Sequence, residues 1–128
     1  MTPRGGPVLA LVRDLLFSSR IGETARRLGV RFRVARSVED FRTALTEAPG
    51  VILVDLTARG LDLADALRAV AEAPRPAPVI GWTTHVLWKE TAPLHAACTR
   101  VVTREQLTAE LPELLQHYLA ADTPAGRA

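Results

Sequence analysis

The stretch VILVDLTARG, residues 51–60, decides the fold. Four apolar residues run straight into Asp55, the chain turns away through Arg59 and Gly60, and Pro49-Gly50 stands just before. An apolar run of this length between breakers reads as a strand covered on both faces. Such strands belong to parallel α/β sheets, where ligands and chemistry gather at the carboxyl ends of the strands. Asp55 is therefore either a site residue or an acid that caps its own loop.

Working outward, short apolar runs alternate with amphipathic ones five times, the pattern of βαβ units on one parallel sheet. PVLALV (7–12) is the first strand. Phe17, Ile21, Ala25 and Leu28 follow at helical spacing until Gly29 stops them. RFRVA (31–35) alternates basic and apolar residues, so it belongs at a sheet border. Ser37 and Asp40 form a near capping box for the second helix. After the opening stretch, Leu63, Leu67 and Val70 mark the third helix, and PVIGW (78–82) the fourth strand. The fourth helix is expected to be short and to start near Lys89–Thr91, because Pro93 fits comfortably only in a first turn. RVVT (100–103) is the fifth strand, and a last helix runs from 104 to 121 with Pro112 dividing a loose start from a regular remainder.

These alternations predict a three-layer, doubly wound, flavodoxin-like α/β fold with a five-stranded parallel sheet in the order 2-1-3-4-5. One domain is expected over 7–121, with flexible ends at 1–6 and 122–128. Asp14, Asp55, Thr83 and Arg104 then converge at the strand ends.

Composition narrows the function classes. The chain has 128 residues, 48% of them hydrophobic and 23% charged, which suits a globular protein. No apolar run approaches the roughly 20 residues of a membrane span, and MTPRGGPV lacks a signal-peptide core, so a cytoplasmic address and no membrane partner are expected. Cys98, the single cysteine, reads as a small buried side chain. Fifteen arginines stand against one lysine, Lys89, but no basic run is interleaved with aromatics, so nucleic acid is not an expected partner. His85, His95 and His117 have no ligand-spaced partner, and no phosphate-loop or dinucleotide fingerprint occurs.

From Val8 to Leu119 the chain resembles the receiver domain of two-component response regulators. VDLTARGLDLADALR (54–68) carries the closest match: a strand-ending Asp with Gly five residues later, although Arg59 stands where the family has Pro. The resemblance implies a phospho-acceptor at Asp55 and an acid pair at Arg13 and Asp14. It puts the phosphate-contacting hydroxyl at Thr83, beside Thr84, and the strand-five cation at Arg104. Val101 falls where the family carries a mobile aromatic, and Glu105 where it commonly has Pro. Any magnesium would lean on Asp14 and Asp55. Arg13 opposes it, since a cation about 6 Å from a divalent ion at an effective dielectric near 20 costs roughly 5 kcal/mol. Arg13 or Arg104 would instead pair with Asp55 or Asp14. No resident cofactor is expected otherwise.

The resemblance also implies a protein partner, a histidine kinase or a downstream effector, and a homodimer through a face carrying Trp88, Leu94, Val101 and Tyr118. Trp82 and Trp88 suit either an interface anchor or the core. Three readings stay open: a signalling protein that is not an enzyme and has a partly degenerate phosphorylation site; a response regulator that accepts phosphate on Asp55 with magnesium; and a flavodoxin-like small-molecule or nucleotide binder. A stand-alone chain would have to deliver any output through a partner.

Overall fold

A computed structural model describes residues 6–121, with side chains through Leu119; residues 1–5 and 122–128, expected as flexible ends, lie outside the described residues. Five strands, β1 (Val8–Leu11), β2 (Phe32–Ala35), β3 (Val51–Asp55), β4 (Val79–Thr83) and β5 (Arg100–Thr103), alternate with five helices, α1 (Leu15–Arg27), α2 (Val38–Leu45), α3 (Leu63–Glu72), α4 (Trp88–His95) and α5 (Arg104–Ala121). The sheet is wholly parallel in the order β2-β1-β3-β4-β5, as the alternation predicts.

Alternating side chains on β1 and β3 feed two cores. Val8, Ala10, Val12, Val51 and Leu53 pack with Ile21 of α1 and Leu107, Leu111 and Leu115 of α5. Leu9, Leu11, Ile52 and Val54 pack with Phe41 of α2 and with Leu63, Leu67 and Val70 of α3. Each fully buried aliphatic side chain contributes about 1.5–3 kcal/mol, which fixes register, since a one-residue slip would exchange the faces. β2 lies at the border, three of its four residues only half buried.

The punctuation read from the sequence operates locally. Gly29 takes φ +75° and closes α1, with Val30 N–H donating to Ala25 O at 3.0 Å and Gly29 N–H to Arg26 O at 3.0 Å. Ser37 Oγ accepts from Asp40 N at 3.0 Å and opens α2.

Two expectations, both at helical prolines, need correction, and one left open is resolved. α4 begins at Trp88, and Pro93 sits in its second turn, not its first. Both Pro93 and Lys89, whose carbonyl the missing N–H would have met, lie on the exposed side, so the helix tolerates the loss. α5 runs unbroken through Pro112, because Leu107, Leu111, Leu114 and Leu115 hold one continuous face on the core. Trp82 is core, 1% exposed, with its ring 5.2 Å from that of Phe17.

Part of the arginine excess serves surface ion pairing. Among the described residues, seven arginines reach a carboxylate, among them Arg33 between Asp40 and Glu47, and Arg42 with Arg68 on Asp65. Exposed pairs of this kind contribute about 0–1 kcal/mol each. No described helix is long and apolar enough to cross a membrane.

Candidate functional site

The carboxyl ends of the strands form the candidate site. Asp55 ends β3 at 6% exposure. Its Oδ1 accepts from Thr57 N–H at 2.9 Å and from Thr57 Oγ1–H at 2.6 Å. Its Oδ2 has no partner among the described residues, yet it is not among their sealed, unpartnered atoms. The carboxylate therefore caps its own loop with one oxygen and presents the other to solvent.

Arg13 does not reach Asp55. Its exposed Nη1 donates to Arg59 O at 3.1 Å, tying the exit of β1 to the loop after β3, and Arg36 Nη1 donates to Arg13 O at 3.1 Å. Asp14 is fully engaged. Its Oδ1 accepts from Phe17 N–H at 3.0 Å as the N-cap of α1, and its Oδ2 accepts from Arg104 Nη2 at 2.9 Å. The Phe17 amide first, and the Arg104 guanidinium against a modest desolvation, hold the Asp14 carboxyl below its ordinary 3.8. Arg104 in turn lies 4.6 Å above the Phe17 ring, so an Arg104–Phe17–Trp82 stack runs from surface to core.

Thr83 is fully buried, and its hydroxyl bonds that of Thr91 on α4 at 3.1 Å. Thr84 is a capping residue: its Oγ1 accepts from Leu87 N–H at 3.1 Å in the turn before α4. In the sheet the β5 residue in register with Thr83 is Thr103, one position before Arg104. Thr103 exchanges hydrogen bonds with Gln106, its N–H donating to Oε1 at 2.9 Å and its Oγ1 accepting from Gln106 N–H at 3.1 Å. Arg104 is the first residue of α5, so its cation is spent on Asp14 rather than on Asp55.

These residues do not fit a divalent cation. Asp14 has both oxygens occupied, Arg13 adds a cation nearby, and the described residues contain no group of three acidic, histidine or cysteine side chains suited to a metal.

A cleft of about 520 Å³ adjoins the ion pair, lined by Asp14, Leu16, Phe17, Arg20, Arg104 and Thr108 among others. It runs between α1 and α5 and does not include Asp55.

The residues expected at an interface are mostly half buried. Leu94 and Val101 pack on the core beneath α2 and α3, Tyr118 packs on the opposite core, and only Trp88, 38% exposed, stands out. The more exposed apolar groups are Leu15, Leu16 and Val86.

The sheet order and the alternation of strands and helices are shared with solved structures. The receiver domain of sensor histidine kinase PA1611 from Pseudomonas aeruginosa PAO1 superposes with a TM-score of 0.75 at 21% identity, over 91% of this chain and 98% of that one. The fold is that of a response-regulator receiver domain. The chemotaxis response regulator CheY4 of Vibrio cholerae shares the receiver fold at TM-score 0.74 and 17% identity, over 88% and 98% of the two chains. The receiver domain of nitrogen regulatory protein C does so at TM-score 0.76 and 17% identity, over 91% and 95%. The PA1611 receiver domain holds a magnesium ion in its active-site cleft. No protein-family model and no curated protein matches the sequence.

Three groups escape a reading of the sequence. Thr57, Thr91 and His95 take part in the site's hydrogen bonding, yet threonine at a strand exit and a lone helical histidine are common anywhere. The four-residue spacing of Thr91 and His95 is the one local signal, since it puts them on the same helix face.

Proposed function

We propose that this chain is a receiver-like signalling protein that acts by protein–protein contact, with an acid pocket neutralised from within rather than by a metal. The observation that carries the reading is the 2.9 Å contact of Arg104 with Asp14, which occupies the oxygen that the helix cap leaves over. A receiver whose charge balance is built in has no need of magnesium to hold its strand-end loops together. Its signal is read from the surface by a kinase, an effector or a second copy of the chain, and it catalyses no turnover of its own.

A second reading is favoured by one feature, the open Oδ2 of Asp55. A carboxylate oxygen with solvent access can attack a small acyl phosphate even without a well-formed metal site. Incubation with acetyl phosphate, with and without magnesium, distinguishes the readings by intact mass. The first expects no stoichiometric added phosphoryl group and no effect of magnesium. Stoichiometric labelling, with or without magnesium, that Asp55→Asn abolishes would sink it and establish the second.

A further inference from the structure

Thr83 does not stand alone at the end of β4. Its hydroxyl is 3.1 Å from Thr91 Oγ1, and Thr91 Oγ1 is 2.9 Å from His95 Nε2. Thr83 is sealed at 0% exposure and Thr91 at 6%, whereas His95 is half buried near the end of α4 with its ring 5.0 Å from the exposed Trp88. A continuous hydrogen-bonded chain thus joins the interior of the candidate site to the outer face of α4.

Proton counting makes that chain directional. Thr91 has one hydroxyl proton and four acceptors within reach: Thr83 Oγ1, Leu87 O at 3.1 Å, Trp88 O at 3.2 Å and His95 Nε2. When Nε2 is bare it can only accept, so Thr91 donates to His95 and Thr83 donates to Thr91. The Thr83 proton then points to α4. When Nε2 carries a proton, as it must in the imidazolium, His95 donates to Thr91. The Thr91 proton is then free to turn inward to Thr83, and in that arrangement the Thr83 proton leaves Thr91 and points toward the strand end.

We propose that His95 is a positioning residue that acts through Thr91 to set the direction of the Thr83 hydroxyl, making the charge of the α4 face an input to the strand-end site. The inference deepens the signalling reading by naming a regulation of the same site. By reciprocity, an anion at the strand end that takes the Thr83 proton favours protonated His95. Among the described residues no charged group bonds His95. Lys89 and Glu90 are the charged residues of its own helix, and Arg100, opening the neighbouring β5, faces Glu110 at 4.0 Å.

Methyl NMR of the full chain tests this without any phosphodonor, so its failure is distinct from failure of the signalling reading. The Thr83 methyl resonance and the His95 ring resonances are followed between roughly pH 8 and 5, the interval in which histidines titrate. The expected result is one shared midpoint, a flat Thr83 curve in His95→Gln and in Thr91→Val, and a restored curve in Thr91→Ser, which keeps the hydroxyl. A Thr83 resonance that stays flat while His95 titrates in the unaltered protein would overturn the proposal. So would a titrating Thr83 in a folded Thr91→Val variant.

Discussion

Arg104 holds Asp14 at 2.9 Å and at the same time covers the Phe17 ring at 4.6 Å. One side chain thereby joins the start of α5 to the start of α1 and closes the second oxygen of Asp14 to other partners. Both ends of the ion pair are about 40% exposed, so its direct contribution to stability is small.

Replacing Arg104 by Gln is expected to cost about 1 kcal/mol, the sum of a weak surface pair and a cation–π contact. It should also raise magnesium affinity, because Asp14 Oδ2 becomes free. Urea unfolding measures the first effect. A magnesium titration followed by the fluorescence of Trp82, in a Trp88→Phe background, measures the second.

Asp14 links stability to pH. Its carboxyl is held below the ordinary 3.8 in the folded chain, so the stabilisation is complete above the unfolded value and is lost as pH falls through the lower folded value. Asp14→Ala, which removes both the cap and the pair, is expected to cost about 1 kcal/mol at neutral pH. The difference from the unaltered protein should shrink below pH 4, roughly where free carboxyls take up protons, as measured by thermal unfolding across a pH series.

Thr57→Val removes the 2.6 Å hydroxyl contact to Asp55 while leaving the Thr57 amide bond in place. A hydrogen bond to a charged group contributes about 1.5–3 kcal/mol, so a loss of that order is expected in denaturant unfolding. The Asp55→Asn, Thr57→Val double variant should lose less than the sum of the two single changes, since the charge that the hydroxyl served is gone.

Cys98 packs under Gly81, where an added Cβ would lie 2.9 Å from its Sγ and 2.9 Å from Leu56 Cδ1. Burial pushes the thiol up to about 11 from 9.0. At pH 8 the folded chain is therefore expected to react with a thiol reagent at least tenfold more slowly than the urea-unfolded chain. Because the folded thiol keeps its proton while the unfolded one loses it, stability should decline as pH rises above 9.0 toward 11. Gly81→Ala overfills the same contact and is expected to cost about 1–3 kcal/mol.

The layers were legible because each rests on a local pattern. The continuous apolar run 51–54 required burial on both faces, the mixed run 31–35 required a border, and Gly29 and Ser37 punctuated the helices around them. The two helical prolines are not legible in the same way. A penalty of about 3 kcal/mol for a helix-interior proline assumes no tertiary support, and neither the leucine face of α5 nor the exposed side of α4 is visible in a short window.

Asp55 shows the boundary most clearly. The residues 51–60 alone determined that a buried strand delivers a carboxylate to the edge of a sheet, and they left open whether it serves its loop or a site. Folding decided that it caps its loop with Oδ1 on Thr57 and leaves Oδ2 open, and that neither Arg13 nor Arg104 pairs with it. Pairings across 90 residues, such as Arg104 with Asp14, or between strand and helix, such as Thr83 with Thr91, depend on register and side-chain direction. Strand and helix periodicities are local properties of the chain and can be read from it. Which donor meets which acceptor is fixed only when the elements pack, because exposed cations have several carboxylates and carbonyls within reach and packing geometry chooses among them.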